Sequence, residues 1–95
     1  MNKTWKSFER RVAKALGGKR IPCSGTGEIQ GDVLHDKFFI ECKYRKKFAI
    51  QKWYEEAKEK NKEGKITLIV VKMKNKHNTF VVMDIEDFKK VIGCQ

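Results

Sequence analysis

Four stretches of this 95-residue chain carry a clear hydrophobic rhythm, and three connecting stretches are polar or glycine-rich. At about 100° per residue, Trp5, Phe8, Val12, Ala15 and Leu16 fall on one arc, which predicts a helix over residues 2–16. Asn2 or Thr4 can cap it, and Gly17-Gly18 stops it. Residues 37–44 alternate instead, with Phe39, Glu41 and Lys43 on one side and Phe38, Ile40, Cys42 and Tyr44 on the other, as a strand requires. Asp32-Val33-Leu34 forms the preceding strand of a hairpin that turns at Asp36-Lys37. Residues 19–23 predict a short edge strand ended by Pro22, the single proline.

A second helix is expected over residues 50–62, with Ile50, Trp53, Tyr54 and Ala57 inward and Gly64 ending it. Residues 66–71 are a continuous apolar and β-branched run, the pattern of a strand buried on both faces. After the basic stretch 72–76 and a turn at His77-Asn78 comes a strand over residues 79–83. A closing helix over 85–92 follows, capped by Asp84, with Ile85, Phe88, Val91 and Ile92 inward. The expected order is α-β-β-β-α-β-β-α: one α/β domain spanning residues 1–95, with helices packed on the faces of a central mixed sheet.

One helix position breaks its pattern. Glu9 lies within about 20° of Leu16 on the wheel, at the edge of the apolar arc, whereas Lys3, Lys6, Arg10, Arg11 and Lys14 lie outside it. A carboxylate facing a core costs several kcal/mol unless paired. Glu9 therefore either snorkels out to a nearby lysine or meets a cationic partner inside. The hairpin register sets Asp32 opposite Glu41, with Cβ atoms roughly 4.5–5.5 Å apart. Two facing carboxylates repel. Either both are solvated charges on an exposed hairpin, or a divalent cation offsets the repulsion with Lys43 beside it, and hard oxygen ligands suit Mg²⁺ or Mn²⁺.

Composition narrows the partners. A net charge of +10 favours a polyanion, nucleic acid ahead of an acidic membrane surface. No apolar run reaches the roughly 20 residues that cross a bilayer, and the first residues lack the apolar segment of a signal peptide, so a cytoplasmic, intracellular protein is expected. Cys23, Cys42 and Cys94 are odd in number and widely spaced, which indicates neither a disulfide framework nor a zinc site. The Ser24-Gly25-Thr26-Gly27 loop and the Arg45-Lys46-Lys47 run are candidate phosphate contacts, and Gln51 sits on the flank of its helix facing the polar corner of the sheet.

Gly31-Asp32, followed after eight residues by Glu41-Cys42-Lys43, resembles the D-x(n)-E-x-K signature of the restriction-endonuclease-like nuclease superfamily. Within it the chain is most similar to the archaeal-type Holliday junction resolvases and their viral relatives. Those share a Glu-Arg pair on the opening helix, matched by Glu9-Arg10, and a Ser-Gly loop before Gly-Asp, matched by Ser24-Gly25 and Gly31-Asp32. The likeness covers residues 8–54. The exonuclease branch carries Gln-x-x-x-Tyr after the lysine, whereas here Gln51 is followed four residues on by Glu55.

The resemblance implies a restriction-endonuclease-like core and Mg²⁺, replaceable by Mn²⁺, held by Asp32 and Glu41 with Glu9 completing the set. It implies that Lys43 orients or deprotonates the attacking water, and that Arg10, Arg20 and Ser24 contact phosphate. A homodimeric endonuclease cutting four-way DNA junctions is the expectation that follows. The alternatives are a nuclease of the same fold with another DNA substrate, and a basic nucleic-acid-binding module without catalysis.

Overall fold

The computed structural model of the chain describes residues 4–22 and 31–93. The opening helix α1 (Thr4–Leu16) is followed by β1 (Lys19–Arg20), β2 (Val33–Leu34) and β3 (Phe38–Arg45). Helix α2 (Ile50–Lys60), β4 (Ile66–Met73), β5 (Thr79–Val82) and α3 (Ile85–Val91) complete the order α-β-β-β-α-β-β-α. The five strands form one mixed sheet in chain order, β1-β2-β3-β4-β5. Only β3 and β4 run parallel, from Phe38 opposite Ile66 to Arg45 opposite Met73. A parallel pair needs a crossover, and α2 supplies it. Among the described residues no helix is long and apolar enough to cross a membrane.

The alternation along β3 sorts the core into two halves. Ile40 and Cys42, with Phe38 and Tyr44 at their margin, pack against Phe8, Val12 and Ala13 of α1. On the opposite face Phe39 lies against Trp53 and Ala57 of α2, together with Ile69 and Val71. Strand β4 contributes to both halves, and Leu68 through Val71 are all buried, as its unbroken β-branched run predicts.

Three expectations need correction. In α1 the buried arc is Phe8, Glu9, Val12 and Ala13 with Leu16 partly covered, while Ala15 is exposed and Trp5 is half exposed. The arc is turned toward Glu9, which lies inside the stripe and not at its edge. Helix α2 ends at Asn61, not at Gly64. The Asn61 side-chain amide donates to the Lys65 carbonyl and to Thr67 Oγ1 (2.9 Å), tying the helix end to the start of β4. Helix α3 is capped as expected, with Asp84 Oδ1 accepting from the Glu86 amide at 2.8 Å, but it has no buried residue. Its expected inward residues, Ile85, Phe88, Val91 and Ile92, are 47–70% exposed.

The α1–β1 corner depends on a glycine. A Cβ on Gly18 would stand 2.4 Å from the Leu34 carbonyl oxygen and 2.8 Å from Val33 Cγ1, because β1 begins one residue later against β2. At Gly17 φ is +75° and a Cβ would meet nothing within 4 Å. Gly17→Ala therefore incurs only the left-handed backbone cost of about 1–2 kcal/mol. Gly18 carries no left-handed φ, but Gly18→Ala must push backbone apart, at a cost of about 1–3 kcal/mol or more, and its loss in a urea titration is expected to exceed that of Gly17→Ala.

Candidate active site

The hairpin is short on one side. Strand β3 has eight residues, but β2 has only two, with Val33 paired to Ile40. Gly31, at φ +89°, turns the chain away from the ladder where a Cβ would press on the Ile40 carbonyl at 3.3 Å. The Val33–Ile40 pair keeps the expected register, but Asp32 itself lies outside the regular ladder. Its amide donates to the Ile40 carbonyl at 2.9 Å. Its Oδ2 accepts from the Cys42 amide at 2.8 Å, a hydrogen bond that a longer β2 backbone would otherwise receive.

Among the described residues, β2 does not continue along β3 past Ile40. Side chains from both faces reach round β3 here, and α1 lies alongside. The result is a cleft of about 380 Å³ lined by Glu9, Asp32, Glu41, Lys43 and Arg45, with Trp5, Phe8 and Tyr44 as its apolar walls. Glu9, Asp32 and Glu41 are only 6–8% exposed.

Three acids buried together must be compensated. Glu9 Oε1 accepts from Arg20 Nε at 2.8 Å, a pair largely shielded from solvent. Burial and the neighbouring Asp32 charge nonetheless hold the Glu9 carboxyl above its ordinary range, against the pull of Arg20 and Arg10. Burial also raises Glu41, and Asp32 raises it further by charge and by hydrogen bonding, while Lys60 and Lys43 pull it down. Glu41 Oε2 lies 3.7 Å from Lys60 Nζ. The Cys42 thiol is pushed far up by burial and then by Asp32, Glu9 and Glu41, so it is an inert core group and not a nucleophile.

The donor set is one that a hard dication takes: carboxylate oxygens, two of them forced together at the cost of a raised pKa. Asp32 and Glu41 fit such a cation. Glu9 stands on the flank, engaged by Arg20, and among the described residues no three acidic, histidine or cysteine side chains converge on one point as a chelate. Lys43 projects on the same side of β3 as Glu41, its Nζ 5.9 Å from the Trp53 ring centre.

The remaining sequence-predicted residues are spread around this cleft. Arg10, Lys46 and Lys47 are exposed, and Arg45 is exposed on the cleft wall. Gln51 is exposed on α2 and donates to Glu55 of the same helix at 2.9 Å, so it does not face the sheet. Ser24 and Gly25 lie outside the described residues. Arg20, expected at phosphate, is the counterion of Glu9. Lys60, with its side chain 44% exposed, was not among the sequence candidates. Trp53, Ala57 and Lys60 share the i, i+4, i+7 spacing of one stripe, and that spacing was the signal that its ammonium reaches toward Glu41.

Searches for matches among protein-family models, curated proteins and solved structures found none for this chain.

Two outcomes follow from the electrostatics. Arg20→Ala strands a buried carboxylate and is expected to destabilise the protein by about 2–3 kcal/mol in urea titration, whereas a purely phosphate-facing arginine would cost nothing. For Glu41 the sign is opposite. A carboxyl whose folded pKa is raised binds its proton more tightly in the folded state. Its contribution to stability is complete below the ordinary value of 4.5 and is lost as pH climbs through the folded value. Without divalent metal, Glu41→Gln is expected to melt higher than wild type at pH 7–8, with the gap closing as pH falls toward 4.5.

Proposed function

We propose that this chain is a divalent-metal-dependent endodeoxyribonuclease of the restriction-endonuclease-like kind, acting on branched DNA in the manner of a Holliday junction resolvase. The observation that carries the reading is the cleft itself. A helix and a hairpin separated in sequence contribute Glu9, Asp32 and Glu41 to one small space, with the Lys43 ammonium at its wall. Burying that much negative charge is expensive, and a polyanion-binding protein of net +10 gains nothing from it unless a cation is to be held there.

In this reading Asp32 and Glu41 hold Mg²⁺ or Mn²⁺, with Glu9 at the flank. When bound, the ion supplies an acidified water and a Lewis acid for the scissile phosphate. The protein's own groups do the rest. The Cys42 amide fixes the Asp32 carboxylate, so its second oxygen has a set direction. Lys43 steadies negative charge on the phosphate and is placed to orient the attacking water. Arg45, Lys46, Lys47 and Arg10 surround the cleft with positive charge that draws in the phosphate backbone. A four-way junction has two equivalent strands to cut, and each chain has one cleft, so two copies related by a twofold axis form the working unit.

A second reading has its own support. Arg20 and Lys60 set the protein's own cations against Glu9 and Glu41, as a metal-free nucleic-acid-binding module would require.

Cleavage of a synthetic four-way junction separates the two. With Mg²⁺, wild type is expected to cut the junction in preference to linear duplex. Asp32→Asn and Lys43→Ala are each expected to cut at least ~100-fold more slowly. In EDTA cleavage stops while binding persists and weakens with salt, with a slope of roughly −0.9 per phosphate contacted. Binding without any metal-dependent cutting would leave the second reading standing.

A further inference from the structure

Trp5 is a wall of the cleft that the core does not use. It belongs to neither half of the core and is 45% exposed, whereas Trp53 on α2 is only 8% exposed. An indole left half in water forgoes much of the apolar gain that a tryptophan ordinarily brings to a fold. Its surroundings are nonetheless defined. Arg20 Cζ stands 5.8 Å from the ring centre, and Glu9 holds that guanidinium through Nε at 2.8 Å. Lys6 Nζ, from the next residue of α1, lies 5.3 Å from the same ring centre. The indole thus lines the same space as Glu9, Asp32 and Glu41, with an ammonium group beside it.

The charge around it narrows what can cover the ring. Tyr44, a second wall of the cleft, is paired across the sheet with Lys72. Lys72 Nζ lies 5.1 Å and Lys74 Nζ 5.8 Å from the Tyr44 ring centre. Among the described residues, Lys6, Lys72 and Lys74 pair with no acid. The basic stretch 72–76 therefore brings two uncompensated ammonium groups to an aromatic wall of the cleft. In a chain of net +10 another cationic surface is repelled here, and an uncharged apolar partner would leave these ammonium groups without a counterion. A ligand that suits both features carries a flat π-system and an anion a short distance apart. A nucleotide is such a ligand, its base stacking on the indole and its phosphate meeting the ammonium. The base must be out of the duplex, because in paired DNA both of its faces are already covered by stacking.

We infer that Trp5 and Lys6 form a site for one unpaired nucleotide next to the phosphate on which the acids act, the base on the indole and its phosphate at Lys6 Nζ. The placement next to the reacting phosphate rests on the nuclease reading above; the stacking itself does not. Lys6, bound to no acid among the described residues, can move from the ring to the incoming phosphate, while Arg20 stays with Glu9. The site defines the substrate by more than a branch: it is DNA in which a base near the cut is free to leave its helix. Every base has a π-face, so the selection is for unpaired over paired nucleotides and not for one base over another.

Fluorescence anisotropy of the full chain in EDTA, where nothing is cut, tests the stacking. The probes are a labelled short oligothymidylate, a blunt duplex of the same length, and polyglutamate as an anion without bases. Trp5→Leu keeps apolar bulk but removes the π-face. It is expected to weaken single-strand binding by about 10- to 100-fold and duplex binding by less than about 2-fold. Trp5→Phe is expected to recover most of the loss, and both variants to keep the urea midpoint of wild type. Lys6→Ala is expected to lower the salt slope of single-strand binding by about 0.7, and an unchanged slope overturns the phosphate contact. Equal losses on single strand and duplex overturn the inference, as does no loss on either. So does polyglutamate binding that weakens as much in Trp5→Leu, which would mark an acidic protein partner. A fall in the urea midpoint of both variants overturns it too, since the indole would then belong to the fold. In Mg²⁺, wild type is expected to cut a junction with unpaired nucleotides at its branch faster than a fully paired one, and Trp5→Leu to lose that difference. Cutting without Trp5-dependent single-strand binding removes this site and leaves the nuclease reading; Trp5-dependent binding without cutting does the reverse.

Discussion

The hydrogen bond from the Cys42 amide to Asp32 Oδ2 holds together two features that would otherwise exclude each other: a hairpin that stops early and a carboxylate kept out of water. Had β2 continued alongside β3, the Cys42 amide would have been taken by backbone and Asp32 would have stood out from the ladder with the other side chains. With Gly31 at φ +89° at the start of the described hairpin, the Asp32 carboxylate receives the Cys42 amide in place of a backbone carbonyl. A charged acceptor makes a stronger bond than a carbonyl, which offsets part of the cost of its burial. Beside this end of the described β2, Glu9 from one face of the sheet and Glu41 from the other share a cleft.

The counterions show how that charge is tolerated in the fold. Arg20 lies on the short β1, close after α1, and returns to Glu9, while Lys60 comes from the last turn of α2 to Glu41. Neither cancels the burial, since both glutamate carboxyls remain raised above their ordinary range. A cluster left under-compensated by its own protein is a place of stored unfavourable energy, and such places are where function is usually sought. Lys60 is exposed enough to move, whereas the more enclosed Arg20 is part of the fold. Of the two ion pairs, Lys60–Glu41 is thus the looser and Arg20–Glu9 the firmer.

Much of this was legible in the sequence, unevenly. The element order, the two faces of β3, the hairpin turn, the doubly buried β4 and the Asp84 cap all follow from periodicity and capping chemistry, which are local. That Glu9 needed a cationic partner was legible too, because a lone acid near an apolar stripe has few alternatives. The identity of the partner was not, since it depends on where β1 returns. The wheel placed Glu9 at the edge of its stripe because Ala15 and Trp5 counted as core, and alanine at 100° spacing carries little information about which side is inward. Lys60 was missed because charge outweighed spacing. The departure of Asp32 from the strand is the subtlest case: Gly31 was the visible cue, but alternation alone extends a strand until something interrupts it.

The failure at α3 is more instructive, because its pattern was read correctly and its burial was not. Periodicity reports that a helix has an apolar side; it does not report what that side meets. Ile85, Phe88, Val91 and Ile92 have the spacing of a core-facing helix, yet they stand 47–70% exposed over an apolar groove. A chain of 95 residues with one shared core has limited apolar surface to offer each of three helices, and α1 and α2 already occupy the two faces of β3 and β4. The third helix is left at the rim, beside an edge strand that is also uncovered. A helix in that position leaves about half or more of each of these side chains in water. Its spacing reports an apolar side, while the interior it was expected to fill is already occupied by α1 and α2.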